Sequence, residues 1–214
     1  MRSSFYSSQF PQAIPLPPHS AGETQTISEA RAAIRGFTLV ELIAVVSIAL
    51  VLLTIAAPNF SMMINNNRLT GQTNDLMATL ALARSQASTR KVAIVVCKTS
   101  NQSTCNTDNA VHWEDGWIVF VDANRDGSRQ NVELLLGSSP ALIGSNTVRT
   151  DTAFTNYIAF LPDGRSIGSG STTPPTEGEF RFCDERGAAL ARVIEVSPVG
   201  RAKVADVAGA TECP

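Results

Sequence analysis

Glu41 is the only charged residue in residues 37–57, a run whose other polar members are Thr38, Ser47 and Thr54. An ionised carboxylate in apolar surroundings is costly, and one kept there generally has a cationic partner and a task. Three other groups of residues could do chemistry. Asp122-Ala123-Asn124-Arg125-Asp126-Gly127 followed by Glu133 fits the spacing D-x-N-x-D-G-x5-E. Oxygen ligands at Asp122, Asn124 and Asp126, a glycine turn and a closing Glu133 would suit Ca²⁺. A hairpin connection rich in turn formers explains the same letters, because the flanks read as strands and Arg125 and Arg129 add positive charge. Gly200-Arg201-Ala202-Lys203 follows the turn Ser197-Pro198-Val199. Alternation along a strand puts Arg201 and Lys203 on one face, about 6.6 Å apart, within reach of successive phosphates.

The third group is the four cysteines, Cys97, Cys105, Cys183 and Cys213. They lack the close Cys-x-x-Cys pairs of a zinc site. An even count outside the cytoplasm suggests disulfides, and four cysteines allow three pairings. The expected pairing is Cys97–Cys105, a short closure, with Cys183–Cys213, which ties the carboxyl end to a strand; free buried thiols are the plain alternative. Enzymatic chemistry has little to work with. The only histidines are His19 and His112, and no Gly-x-Ser-x-Gly nucleophile motif or Gly-rich phosphate loop occurs. No cofactor is expected, calcium apart.

The elements that must position these residues follow from periodicity. A spanning helix needs about 20 mostly apolar residues, and residues 37–57 supply 21. Arg31 and Arg35 precede the run, and such positive flanks stay cytoplasmic, so the rest of the chain faces the other side. A secretory signal cut after Ala56-Ala57 and a plain membrane anchor are the ordinary alternatives; Glu41, Pro58 and the length of the run speak against the signal. Beyond Pro58 a helical pattern resumes. Leu69, Leu76, Leu80, Ala83 and Ala87 share one face, which predicts one long helix, bent near Pro58, whose second half packs on a sheet. Strands are then expected at residues 92–97, 117–121, 133–136, 158–160, 180–183 and 192–196, with Pro162-Asp163-Gly164 and residues 197–200 as turns and a Gly, Ser, Thr and Pro loop at 169–176. Trp113 and Trp117 are expected in the core rather than stacked on bases. Helix first and antiparallel strands afterwards reads as α+β.

The segment Arg35-Gly36-Phe37-Thr38-Leu39-Val40-Glu41-Leu42-Ile43 resembles the processing site of the type IV pilin and type II secretion pseudopilin superfamily. The resemblance implies that a prepilin peptidase cuts between Gly36 and Phe37, that Phe37 is then N-methylated, and that Glu41 is the fifth residue of the mature chain. In a filament of packed helices the new α-amine of one subunit can lie beside Glu41 of a neighbour. Opposite charges attract far more strongly there than in water, and either left alone is destabilising.

Ala83-Arg84-Ser85-Gln86-Ala87, the Cys97–Cys105 loop, Trp113-Glu114-Asp115-Gly116-Trp117 and Phe160-Leu161-Pro162-Asp163-Gly164 narrow the resemblance to the GspH/FimT family of minor pilins and pseudopilins. It implies a type IV pilin-like fold. A leader occupies residues 1–36, a transmembrane and filament-core helix 37–57, its amphipathic continuation 58–91, and a periplasmic β-rich domain 92–214. It also implies an inner-membrane subunit of a type IV pilus or a type II secretion pseudopilus. Its partners would be other pilins or pseudopilins and the peptidase/N-methyltransferase, and its work filament assembly with protein secretion or DNA uptake. Gly200-Arg201-Ala202-Lys203 resembles the Gly-Arg-x-Arg element of FimT-type pilins linked to DNA uptake, with Lys203 giving up the bidentate fork of arginine. The alternative is a membrane-anchored periplasmic domain that binds DNA or calcium outside any filament. Net charge gives no general pull toward nucleic acid. The chain has 17 basic and 19 acidic residues, and without the leader's Arg2, Arg31, Arg35, Glu23 and Glu29 the acids lead by three.

Overall fold

The computed structural model describes residues 36–170, 176–205 and 213. The expected leader up to Arg35 (with His19 and Arg31) and the middle of the 169–176 loop lie outside the described residues. The chain divides into two compact units, Met1–Ser47 and Ile48–Pro214.

One helix, α1, runs from Leu39 to Arg90 and passes position 58 without a break. Its apolar stretch keeps its few hydroxyls satisfied internally: Ser47 donates to the Ile43 carbonyl at 2.8 Å and Thr54 to that of Val51 at 2.7 Å. The helix stops where Lys91 takes a left-handed φ of 58° and donates its N–H to the Ala87 carbonyl. In the first unit, Phe37, Leu39, Val40, Leu42 and Ile43 are all exposed. In the second, large apolar residues stay exposed as far as Ile64, and burial begins at Leu69. The helical face expected from spacing, Leu69, Leu76, Leu80, Ala83 and Ala87, is buried throughout.

Nine strands follow: β1 Ala93–Lys98, β2 Trp117–Asp122, β3 Leu135–Ser139, β4 Thr147–Thr150, β5 Tyr157–Phe160, β6 Ser166–Gly168, β7 Gly178–Cys183, β8 Arg192–Val196 and β9 Ala202–Ala205. They form two antiparallel sheets, in the orders β3-β2-β1-β5-β6 and β4-β7-β8-β9. This is the expected α+β arrangement of a long amino-terminal helix with antiparallel sheets. The main core joins the α1 stripe to Ile94, Val96, Trp113, Trp117, Phe154, Phe160, Phe180 and Phe182. The opposite face of β1 carries a smaller core of Val95, Cys97, Ile118, Phe120 and Ala159. Burial on both faces explains why β1 and β2 read as unbroken apolar runs rather than alternating ones. Both tryptophans are in the core, each with its indole N–H satisfied: Trp113 donates to the Phe154 carbonyl at 3.0 Å and Trp117 to the Thr79 hydroxyl at 3.2 Å.

Two expectations need correction. The strand expected at 133–136 begins only at Leu135, because Glu133 is occupied in closing the preceding loop. The short strands β4 and β6 carry little apolar alternation and were not expected.

Candidate functional site

At the amino-terminal end, Thr38 caps α1. Its hydroxyl accepts the Glu41 N–H at 3.2 Å, and its carbonyl accepts that of Leu42 at 3.1 Å. Glu41 therefore sits in the first turn, where the positive end of the helix dipole favours a carboxylate. Its carboxylate has no hydrogen-bond or ion-pair partner among the described residues. Gly36 has open space where a side chain would stand.

At the other candidate, the β8–β9 hairpin closes through Gly200, whose N–H donates to the Ser197 carbonyl at 2.8 Å with φ at +74°. A Cβ on Gly200 would lie 2.0 Å from the carbonyl oxygen of Gly164, so the two turns 162–164 and 197–200 touch at their glycines. Arg84 locks them to α1: Nε donates to the Gly164 carbonyl at 3.1 Å and Nη2 to the Val199 carbonyl at 2.9 Å. In the sequence Arg84 stands out only as part of a motif, since its two acceptors are 80 and 115 residues away.

The two cations expected to act together are separated by their surroundings. Lys203 lies opposite Glu195 in the β8–β9 register, with Nζ 2.8 Å from Oε2. It borders a cavity with Asp151, Glu177 and Glu179. Arg201 precedes β9 and borders a different cavity, of about 460 Å³, with Met77, Leu80 and Arg84. Arg165 is paired with Asp163 at 2.6 Å; its backbone N–H, and then this side-chain bond, hold Asp163 below the ordinary carboxylate pKa.

The calcium-like loop is closed by backbone amides. Asp122 accepts the N–H groups of Arg125 at 2.7 Å, Asp126 at 3.3 Å and Gly127 at 3.0 Å. Glu133 accepts those of Ala123 at 3.0 Å and Gln130 at 2.9 Å. Asp126 takes the side-chain amides of Asn124 at 2.8 Å and Gln130 at 2.7 Å. The same oxygens that the spacing offers to a cation thus also close the loop, and among the described residues no three His, Cys, Asp or Glu side chains are grouped to hold a metal. Burial pushes the Asp122 carboxyl above its ordinary pKa, while the Ser128 N–H holds that of Asp126 below it.

Disulfides join Cys97 to Cys105 and Cys183 to Cys213, with Cα separations of 5.5 and 5.9 Å. The second ties the carboxyl end to the last residue of β7.

With the geometry established, the chain can be set beside known proteins. The family model described as Type II transport protein GspH matches residues 72–200. The prokaryotic N-terminal methylation motif matches residues 31–57. The fold is similar to that of the type IV minor pilin FimU of Pseudomonas aeruginosa, at 23% sequence identity and a TM-score of 0.53, over 70% of this chain and 97% of that one. A second crystal form of FimU gives 22% identity and a TM-score of 0.50, over 67% and 98%. The minor pseudopilin EpsH from the type 2 secretion system of Vibrio cholerae is similar at 8% identity and a TM-score of 0.43, over 66% and 98%. No curated protein matches. The GspH model spans more than half of the chain, and the chain belongs to the GspH family of minor pilins and pseudopilins.

Proposed function

We propose that this chain is a minor subunit of an inner-membrane-anchored filament. A peptidase cuts it between Gly36 and Phe37, Phe37 is N-methylated, and the β-rich part from residue 92 onward faces the periplasm. One observation carries the reading: an exposed apolar stretch, residues 37–57, whose single carboxylate, Glu41, is unpartnered among the described residues and lies four residues from Phe37. That surface needs either lipid or neighbouring helices, and the carboxylate needs a cation from outside its own described residues. The α-amine of a neighbouring subunit's first residue has the right charge, and methylation keeps it.

The test is Glu41→Ala in cells that assemble the filament. Intact mass should still show a chain starting at Phe37, while the amount recovered in sheared filaments should fall severalfold. Normal recovery of the variant would refute the role of Glu41. A mature mass that begins elsewhere would refute the cut.

Duplex DNA is a second reading, favoured by one observation: Arg201 is exposed and shares its groove with Arg84. Lys203 adds little, because an exposed ion pair neutralises it and carboxylates surround it. Binding by Arg201→Ala equal to that of the parent chain at low salt would remove DNA contact from this hairpin.

A further inference from the structure

The sheet β4-β7-β8-β9 ends at β9, and its last hairpin decides which backbone groups of that strand are unpaired. The Ser197 N–H donates to the Arg201 carbonyl at 3.0 Å, so these two residues form the hydrogen-bonded pair that closes the hairpin. In an antiparallel ladder such pairs alternate with non-bonded ones. With Val196 opposite Ala202 and Glu195 opposite Lys203, the next bonded residue of β9 is Lys203, and Ala205 follows. Ala202 and Val204 therefore turn their N–H and C=O groups away from β8. Among the described residues nothing pairs with that edge. The opposite edge of the sheet, β4, is closed by contrast: Glu114 accepts the Val148 N–H at 3.0 Å.

Ala202 also lines the open groove of about 460 Å³ between the hairpin and α1. Met77, Leu80, Ala81 and Ala202 give the groove an apolar floor, and Arg84 and Arg201 are its charges. Val204 is on the same face of β9 as Ala202 and is exposed, so the apolar strip continues along the strand. No carboxylate lines the groove. Arg84 is held by two carbonyls, and neither arginine belongs to an ion pair among the described residues. The acids close in sequence are directed elsewhere. Asp163, in the adjoining turn, is held by Arg165, and Glu195 by Lys203. Asp75 precedes Met77 by two residues, which puts it about 200° around the helix from the groove. The two guanidinium charges are therefore not offset within the described residues.

We propose that this groove takes an extended, acidic segment of a partner protein, which adds to β9 as a further strand of the sheet. The outward N–H and C=O groups of Ala202 and Val204 bond its main chain, the floor receives its small apolar side chains, and Arg201 meets its carboxylate. Charge argues against a second copy of this chain as the occupant. Antiparallel pairing through Ala202 would set Lys203 against Lys203 or Arg201 of the second copy, and like charges directly opposite are destabilising. A DNA duplex could use the two arginines, but it would leave the strand edge and the apolar floor without partners, so these two features favour a polypeptide. The inference is independent of Glu41 and of the cut before Phe37.

The test uses the full chain in non-ionic detergent and a blocked, fluorescein-labelled peptide, Thr-Val-Glu-Ala-Glu-Val-Thr, followed by fluorescence anisotropy. Binding should saturate. Ala81 is exposed, so Ala81→Trp fills the groove without entering the core, and it should abolish binding. Arg201→Ala should weaken binding about threefold, the size of effect an exposed ion pair has. Glutamine in place of the peptide's glutamates should weaken binding to the parent chain and change little in Arg201→Ala. Two methylated peptides test the strand itself. A strand turns alternate N–H groups toward its neighbour, so N-methylation at the odd positions and at the even positions should differ, one abolishing binding and the other sparing it. No saturable binding, equal binding by the two methylated peptides, or unchanged binding in Ala81→Trp would overturn the proposal. A DNA duplex that binds more tightly than the peptide and is lost in Ala81→Trp would overturn it in favour of nucleic acid. Self-association that Ala81→Trp dissolves would overturn it in favour of a second copy.

Discussion

Residues 39–64 and 69–87 belong to one helix and use their apolar side chains in opposite ways. In the first stretch Leu42, Leu50, Leu53 and Ile55 point to several sides and are about 60% exposed. In the second, Leu69, Leu76, Leu80, Ala83 and Ala87 form one stripe with almost no exposure. A stripe can be buried from one side, and here residues of both sheets join it in the main core. A helix that is apolar all round has no single face to turn inward, so it needs surroundings that are apolar on every side. The helix thus separates what stabilises the β-rich region from what the rest of an assembly or a membrane must cover.

The largest effect should come from the stripe. Leu76→Ala removes a fully buried side chain between α1 and the sheets, and should cost about 2–5 kcal/mol. Leu50→Ala removes as much apolar volume from an exposed position and should leave unfolding of the β-rich region within about 0.5 kcal/mol of the parent. Urea unfolding in detergent, followed by Trp113 and Trp117, measures both. Similar losses for the two would mean that the exposed stretch also supports the folded region, and the contrast would break.

The stripe was legible because a 3.6-residue period survives in the letters, and β1, β2, β5, β7 and β8 were legible as β-branched and aromatic runs. The strand β4, Thr147-Val148-Arg149-Thr150, has a single buried apolar residue and takes its conformation from pairing with β7. Only long-range pairing reveals it. The same holds for the sites. Glu41 declares itself by being a charge in an apolar run. Arg201 and Lys203 look alike in sequence, and only the β8–β9 register shows that one of them faces Glu195. The ligand-like letters at Asp122, Asn124, Asp126 and Glu133 fit a cation or a tight turn equally well; only the structure shows that backbone amides hold Asp122 and Glu133.

A smaller effect compares two glycines at similar φ. Gly187 and Gly200 have φ of +84° and +74°. Nothing lies within 4 Å of a Cβ built on Gly187, whereas one on Gly200 would meet the Gly164 carbonyl. Gly187→Ala should cost about 1–3 kcal/mol from the backbone alone, because its φ of 84° with ψ of −170° is a conformation kept almost to glycine. Gly200→Ala adds a clash that only separation of the two turns relieves, so it should cost about 1–3 kcal/mol more. It should also weaken the hold of Arg84 on Val199. Equal losses would show that the turns can part freely, and that the hairpin is not fixed to α1 through this contact.

The smallest effect is a pH dependence with opposite signs at two acids. Asp184 is buried and paired with Arg186, whose hydrogen bonds hold its pKa below the ordinary value. The native state therefore favours its ionised form. That stability is present above the unfolded pKa of about 4 and is lost as pH falls through the lower folded value. Asp122 is the reverse. Burial raises its pKa, so the native state favours the protonated form, and stability falls as pH rises from about 4 through the higher folded value. The advantage of the parent chain over Asp184→Asn should shrink between about pH 5 and pH 2. Asp122→Asn should gain on its parent as pH rises from about 4 to 6. Urea midpoints across that range test both slopes. Parallel curves for Asp184→Asn and its parent at acid pH would mean that the Arg186 pair contributes nothing that depends on ionisation.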